Sequence, residues 1–555
     1  MSAKVLSFLA LSLVATACTT MQVDSTAQSS SNLDDGEARC TITSAGDAGK
    51  VITATLLLPD APAAGELFIS STGVIACAAA SCASTAGYDS ATKISCPDAV
   101  VSPGLINPHD HISFANNPPH PPTDERFEQR HDWRKGRRGH TKIPVSAPAV
   151  TNAIEAAELR FAMSGVTAIA GAGGAKGLVR NVDGSQDQLE SGLQMQSADS
   201  DTFPLGDSAG SVFPTTCDGF TGSRRTTSDI ANKDAYLPHI AEGIDATAHA
   251  ELVCQSGDQP TYDLFGVHTA VVHGVAVSAS DVQRYKDQGA ILVWSPRSNV
   301  DLYGNTAPIG MYARMGVPIA LGTDWLPSGS MNMSRELHCA DDLNTRYFDK
   351  ALTDKQLWEA VTVNAANAVG GDSTIGQLKA GLLGDVAIFD GKGKANPYRA
   401  VIEAGVEDTV LVLRGGKALY GDRALVADPA SGGGADCEDL DVCGVAKKAC
   451  VKRDLGAKTL ANLQTAASKV YPLFFCKTAT PTNEPSCSPR RGATASAPAA
   501  SAYDGIAKGD QDGDGVADAD DDCPSVFNPI RPMDDGKQAD QDNDGTGDAC
   551  DDTPL

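Results

Sequence analysis

Four apolar runs recur in the middle of the chain at a nearly even spacing: AYLPHIAEG from Ala235, TAVVHGV from Thr269, AILVWSPRSN from Ala290 and VPIALGTDW from Val317. Successive starts lie roughly 20–35 residues apart, the length of one strand–helix unit. Amphipathic stretches such as SASDVQRYKDQG fill the gaps. PAVTNAIEAAELRFAMSG followed by VTAIAG supplies an earlier helix–strand step. Strand and helix alternating in this way restrict the fold to a parallel α/β barrel or a doubly wound sheet.

Different patterns flank this body. Residues 39–100 hold short β-like runs punctuated by glycine, such as GELFISSTGVIA. After TDKQLWEAVTVNAANAVG, which reads as a helix, β-like runs return in GDVAIFDG and DTVLVLRGGKALYG. At 555 residues the chain exceeds one ordinary core, since a (β/α)8 barrel takes about 250. The expected division is 39–100 and 371–425 as two parts of a small β-sandwich, 101–370 as the α/β barrel, and 426–500 as a Cys-rich segment and linker. Residues 501–555 form an acidic tail.

Catalytic groups of a parallel barrel gather where its strands end. The run VVSPGLINPHDHISFAN ends a predicted strand in His109-Asp110-His111. Residues i and i+2 of a strand project to one face, so the two imidazoles point together and Asp110 turns aside. YLPHIAEG carries His239 and, three residues on, Glu242. VVHG carries His273, and LGTD ends in Asp324. Four of the ten histidines thus stand at predicted strand ends.

In order, PGLINPHDH, HIAEG, VVHG, SPRSN and LGTDW resemble the metal-dependent amidohydrolase superfamily, in the branch of cytosine deaminase, guanine deaminase and triazine hydrolases. The phrase IGQLKAGLLGDVAIFD resembles the stretch where that family re-enters its β-sandwich. The resemblance covers roughly residues 60–425 and implies these roles. His109, His111 and His239 bind one divalent metal, Zn²⁺ or else Fe²⁺. Asp324 completes the shell and holds the attacking water. His273 orients that water or polarises the substrate, and Glu242 shuttles the proton to the leaving side.

The residue types suit the chemistry. Neutral imidazole and carboxylate are good ligands for Zn²⁺, which lowers the pKa of a bound water to about 7. A departing nitrogen must be protonated, or it would leave as an amide anion. A general acid such as Glu242 is worth about 10²–10⁴-fold. Binuclear superfamily members bridge two metals with a carboxylated lysine. Between Gly177 and Asn232 there is no lysine; Lys176 falls too early and Lys233 lies before His239. One metal is therefore expected.

The remaining histidines read as structural. His249 lies on a predicted helix and His268 at the start of the strand of His273. His131 and His140 belong to RHDWRKGRRGH, which reads as a solvated loop, or alternatively as a site for an anionic substrate group. His338 lies past the last strand and reads as a non-ligand. Asn299 reads as a brace for its loop ahead of a substrate contact.

The first residues, MSAKVLSFLALSLVATACTT, form a secretory signal: Lys4, then a short apolar run at 5–15, too short to span a bilayer. Ala15-Thr16-Ala17 before Cys18 resembles a bacterial lipobox, although Leu is usual where Ala15 stands, so cleavage without lipid is the alternative. A lipidated Cys18 would anchor the protein to a membrane through a tether at 19–38, making it an outer-membrane lipoprotein, periplasmic or at the cell surface. Fourteen further cysteines, an even number, suit disulfides in an exported chain. Local groups are Cys77, Cys82 and Cys96, and Cys437, Cys443, Cys450, Cys476 and Cys487.

The net charge is −26, much of it near the C-terminus, which argues against a nucleic-acid backbone as partner. DQDGDGVADADD and DQDNDGTGDACD share one pattern: Asp510, Asp512, Asp514, Asp518 and Asp521 recur as Asp540, Asp542, Asp544, Asp548 and Asp551, at an offset of 30. Alternate carboxylates with glycine at the sixth position wrap a Ca²⁺ ion, as in an EF-hand loop. With CPSVFNP between them they resemble thrombospondin type 3 repeats, with a Cys523–Cys550 disulfide and calcium-dependent cell-surface contacts as further expectations.

The leading expectation is an exported metal-dependent hydrolase acting on a small molecule, cleaving a non-peptide C–N bond in a cyclic amide, amidine or amino-heterocycle. The alternatives are a binuclear dipeptidase- or lactonase-like relative, and an inactive calcium-dependent surface-binding protein.

Overall fold

The structure, a computed structural model, describes residues 38–493 and 501–555 apart from 147, 186–188, 190–192, 194–197, 213, 221 and 258. The signal stretch, Cys18, the tether up to residue 37 and the linker residues 494–500 lie outside the described residues.

Five strands come first: β1 (Thr41–Ser44), β2 (Gly49–Leu57), β3 (Pro62–Ser70), β4 (Ile75–Ala79) and β5 (Thr92–Pro103). Eight short strands follow: β6 (Leu105–Asn107), β7 (Val166–Ile169), β8 (Arg180–Asn181), β9 (Asp199–Asp201), β10 (Tyr236–Ile240), β11 (Ala270–His273), β12 (Ile291–Trp294) and β13 (Ile319–Leu321). The last five are β14 (Val386–Asp390), β15 (Thr409–Arg414), β16 (Lys417–Asp422), β17 (Glu438–Val442) and β18 (Val445–Ala449).

The middle eight are parallel throughout, in two sheets ordered β6-β7-β8 and β9-β10-β11-β12-β13. Nearly every residue of β7, β10, β11 and β12 is buried, as expected of strands covered on both faces. Backbone bonds stitch the sheets at two seams. The Ala198 amide donates to the Val182 carbonyl at 2.9 Å, and the Asp324 amide donates to that of His109 at 3.1 Å. The second seam brings the ends of β6 and β13 together.

The flanking strands join in one ten-stranded sheet, ordered β17-β18-β16-β15-β14-β5-β2-β3-β4 with β1 also on β5. The chain leaves this sheet at Pro103 and returns at Val386, directly opposite it. The α/β body is thus an insertion between two neighbouring strands. Ile52, Leu67 and Ile94 from the first part share an apolar cluster with Ile388, Leu411 and Leu413 from the second.

Two stretches differ from the sequence reading. The 426–500 segment, expected to be a Cys-rich segment and linker, extends the sheet by β17 and β18 and adds helices Val451–Leu455 and Leu460–Ser468. Lys458 from this segment bonds both Glu155 oxygens at 2.6 Å. TDKQLWEAVTVNAANAVG forms two helices, Asp354–Glu359 and Val363–Ala368, because Thr362 at φ −130°, ψ −97° breaks the ladder.

The acidic tail packs on the α/β body. Arg531 donates to the Val275 and Val277 carbonyls at 3.3 and 3.0 Å, and the Phe527 amide donates to the Tyr347 carbonyl. All fourteen cysteines among the described residues are paired: Cys40–Cys96, Cys77–Cys82, Cys217–Cys254, Cys339–Cys487, Cys437–Cys450, Cys443–Cys476 and Cys523–Cys550. Cys96 and Cys487 therefore bond outside their local groups. Tertiary folding brings Cys40 and Cys339 closer to them than their sequence neighbours. Among the described residues no helix is long and apolar enough to cross a membrane.

Candidate metal centre and its cavity

Asn107, the last residue of β6, sets the local geometry. Its Oδ1 accepts from the His109 and Thr323 amides at 3.3 and 3.2 Å, and its Nδ2 donates to Thr323 Oγ1 at 2.7 Å. Thr323 in turn donates to Asp110 Oδ2 at 2.8 Å, which holds Asp110 aside. His109 and His111 converge on His239 of β10. The three Nε2 atoms are 3.1, 3.2 and 3.4 Å apart, and Asp324 Oδ1 lies 3.4 and 3.6 Å from those of His109 and His111. His273 and Asp324 adopt left-handed backbone, φ 75° and 54°, a conformation costing a non-glycine residue roughly 1–2 kcal/mol. Such strain is characteristic of positioned functional groups.

The cluster fits one divalent ion. Two donors bound about 2.0–2.1 Å from a tetrahedral ion stand about 3.4 Å apart. The tautomers agree. His239 Nδ1 lies 3.1 Å from the Asp201 carbonyl, which only accepts, so Nδ1 carries the proton and Nε2 presents its lone pair. His109 Nδ1 lies 2.9 Å from Ser295 Oγ, which can accept a proton from it in the same way. Burial pushes His109, His239 and His273 well below the ordinary histidine pKa and His111 to about 4, so all four rings are neutral.

The two carboxyls at the floor respond in the same direction. Burial raises Glu242 to about 7, against the pull of Arg130 and the Tyr303 hydroxyl. Burial and the charge of Glu242 raise Asp324 to about 8, against its bond from Ser298 Oγ at 2.6 Å. A dry floor holding two carboxyls and converging lone pairs favours a cation. Glu242 Oε1 accepts from Tyr303, while Oε2 lies 3.6 Å from His273 Nε2.

A relay fixes the other side of His273. Trp294 Nε1 donates to Thr306 Oγ1 at 2.7 Å, Thr306 donates to Asn299 Oδ1 at 3.5 Å, and Asn299 Nδ2 donates to His273 Nδ1 at 3.0 Å. His273 Nε2 therefore carries the proton toward the cavity. Asn299 does brace the site, through a histidine rather than through its loop alone.

Above the cluster opens a cavity of about 280 Å³, the size of a small-molecule site. His111, His239, Glu242, His273 and Asp324 form its floor, and Trp133 and Trp325 form part of its wall. The sequence reading missed Tyr303 as part of the site; Arg130 and Trp133 lie in the stretch whose alternative reading was an anionic substrate site. RHDWRKGRRGH, expected as a solvated loop, begins with a helix, Arg130–Lys135, whose first four residues are buried. Asp207 supplies the counter-charge for Arg130 at 2.5 Å and a hydrogen-bond acceptor for the neutral His131 at 2.7 Å.

The other histidines stand apart from the cluster. His140 bonds Glu125 and Glu128, His249 bonds Asp281 at 2.8 Å, and His120, paired with Asp301 at 2.6 Å, had no assigned role. His268 precedes β11, and His338 lies in the helix Met333–Arg346. The lysines lining the cavity, Lys135 and Lys142, are outside the ligand cluster.

In the tail, Asp510, Asp512 and Asp514 bring carboxylate oxygens within 4.8 Å of one another, as do Asp540, Asp542 and Asp544. The loops share several backbone bonds. Gln511 and Gln541 amides donate to Asp518 and Asp548 at 2.8 Å, and Gly515 and Gly545 amides donate to Asp510 and Asp540 at 3.1 Å. Asp521 accepts from the Cys523 amide and Asp551 from that of Thr553. Asp512 Oδ2 is buried and lacks a hydrogen-bond partner among the described residues, which fits a hard cation.

The Amidohydro_3 model, an amidohydrolase family, matches residues 239–420. A 5-methylthioadenosine/S-adenosylhomocysteine deaminase of Thermoanaerobacter pseudethanolicus is 30% identical over 171 residues, 29% of this chain and 40% of that protein. An imidazolonepropionase of Geobacillus thermodenitrificans is 26% identical over 372 residues, 58% of this chain and 81% of that protein. The chain thus spans 40% of the length of the first of these relatives. A solved adenosine deaminase from Xanthomonas campestris with bound zinc is similar at 16% identity and a TM-score of 0.48, covering 68% of this chain and 93% of that one. The matched segment begins at His239 and carries Glu242, His273 and Asp324 in order, so that over residues 239–420 the chain is similar to the amidohydrolase family.

Proposed function

We propose that the protein is an exported, zinc-dependent hydrolase that cleaves a non-peptide C–N bond in a small cyclic amide, amidine or amino-heterocycle, on a closed (β/α)8 barrel. The observation that carries this reading is the convergence of three imidazole Nε2 atoms within 3.1–3.4 Å of one another, beside a carboxyl poised near neutrality. His109, His111 and His239 would hold the ion, with Asp324 facing it. When bound, zinc supplies a water activated at neutral pH.

Asp324 Oδ2 is occupied by Ser298, so Oδ1 is free to take the proton of the attacking water. His273, with its proton on Nε2, donates toward the atom of the substrate that gains charge. Glu242 gives its proton to the departing nitrogen, which leaves as a neutral amine or ammonia. The deaminases and the imidazolonepropionase named above support a C–N substrate. Seven disulfides support an oxidising compartment, in line with a lipid-anchored or secreted protein, and the twin acidic loops support Ca²⁺ in thrombospondin type 3-like repeats.

Elemental analysis of the full chain tests the reading, because zinc and calcium are counted separately. About one zinc per chain, lost in His109→Ala/His111→Ala, together with ammonia release from a panel of amino-heterocycles, supports it. Two catalytic metals would favour the binuclear alternative. No retained metal after zinc reconstitution would sink it.

A further inference from the structure

The segment between β6 and the helix Thr151–Met163 builds one wall of the cavity. Its short helix sets Arg130, Trp133 and Arg134 at i, i+3 and i+4, on one side, and all three line the cavity. Arg130 is neutralised by Asp207 at 2.5 Å and Glu251 at 3.5 Å. Nearby, Arg138 is neutralised by Asp132 and Asp245.

The remaining cations are not. Arg134 gives its Nη2 to the carbonyls of Ser208 and Asp207, at 2.7 and 3.3 Å, and lies 4.4 Å over the Phe203 ring. Among the described residues no carboxylate forms an ion pair with Arg134, Lys135 or Lys142, and all three line the cavity. The acids that line it, Glu242 and Asp324, are both at the floor. Repulsion from Arg134, then burial, then repulsion from Lys142 and Arg137, hold the Lys135 ammonium below its ordinary pKa. On a chain of net charge −26 a cationic mouth is not a by-product of composition. It focuses anions toward the cavity. Beside it, Trp133 and Trp325 lie 5.2 Å apart, with Phe114 6.2 Å from Trp325, a wall suited to a flat ring.

We infer that the substrate is a planar nitrogen heterocycle bearing an anionic group, a carboxylate or a phosphate. The ring packs on Trp133 and Trp325 over the histidine cluster, and the anion reaches Arg134, Lys135 and Lys142. Only the position of the scissile bond rests on the hydrolase reading; the recognition of ring and anion does not.

Matched pairs test this by binding, independently of turnover: hydantoin against hydantoin-5-acetate, and adenosine against adenosine 5′-phosphate, titrated against the full chain by tryptophan fluorescence. The anionic member should bind about tenfold tighter or more, the worth of one charge-assisted hydrogen bond. The advantage should shrink with added salt and collapse in Lys135→Gln/Lys142→Gln, whose exposed side chains leave the fold intact. The carboxylate and phosphate arms tell the two sources of charge apart. Iodide against acrylamide quenching of Trp133 and Trp325 reads the same field without a ligand, and should favour iodide in the parent over the double variant. Equal binding within pairs overturns the inference. So does no binding of either member with iodide quenching unchanged by the double substitution. Turnover of neutral heterocycles with no anion preference removes this inference and keeps the hydrolase. Anion-selective binding without turnover of any heterocycle keeps this inference and removes the hydrolase.

Discussion

Tyr303 gives its hydroxyl proton to Glu242 Oε1 at 2.7 Å while its oxygen accepts from Trp133 Nε1 at 2.9 Å. The indole can only donate, so the direction of the Tyr303 bond is fixed. Glu242 is thereby held with Oε2 toward His273 and the cavity.

Glu242→Gln keeps the shape and removes the acid. It should lower kcat by about 10²–10⁴-fold and leave zinc content unchanged. Tyr303→Phe removes only the positioning bond and should lower kcat by about tenfold, with little effect on KM. Steady-state kinetics beside metal analysis of both variants checks this. Equal losses in the two variants would mean that Tyr303 does more than hold Glu242.

Ser295 stands behind His109, 2.9 Å from Nδ1. A partner on the far nitrogen orients a ligating ring and raises its basicity. Ser295→Ala should weaken zinc about 10–100-fold without unfolding the protein, as read by competition with a fluorescent chelator. An unchanged affinity would show that the strand-end backbone alone aims His109.

The floor of the site was legible because its residues are tied to strand ends. His109, His111, His239, His273 and Asp324 follow short apolar runs, and the spacing of those runs gives the parallel order. The walls were not legible. Arg130 and His131 read as solvated because their partner, Asp207, lies 76–77 positions away. Tyr303 carried no motif; only the fold brings it to Glu242. Strands β17 and β18 are short and half polar, and their place is set by pairing with β16 and by the Cys437–Cys450 bond. Composition alone hid them.

The acidic tail should link calcium to protons. Burial and neighbouring carboxylates raise Asp512 to about 8, and burial raises Asp514 to about 7 and Asp522 to about 6. Unfolded aspartates titrate near about 4. Between about 4 and 8 the cation-free folded form therefore holds more protons than the unfolded form, and its stability falls as pH rises across that window. On the proposed reading, bound calcium would replace those protons. Calorimetric calcium titrations in buffers of different ionisation enthalpy should show proton release near about pH 6 that vanishes near about pH 9. Thermal midpoints of the calcium-free chain should drop over the same range, and release independent of pH would refute the linkage.

The tail also bears on the site mechanically. Arg531 caps the carbonyls of Val275 and Val277, and the Val275 amide bonds the Ala241 carbonyl at 3.0 Å, one residue before Glu242. Asp534 holds the guanidinium at 2.8 Å. Arg531→Ala takes the side-chain donor from the Val277 carbonyl and leaves the Val275 carbonyl and Asp534 with backbone donors alone, the Val277 amide and the residue-531 amide, at a cost of about 1–3 kcal/mol. The loss should be local: faster hydrogen exchange at amides 274–278, with β2 and β3 unaffected. Parent-like exchange there would mean that the tail docks on the body without supporting the loop that follows His273.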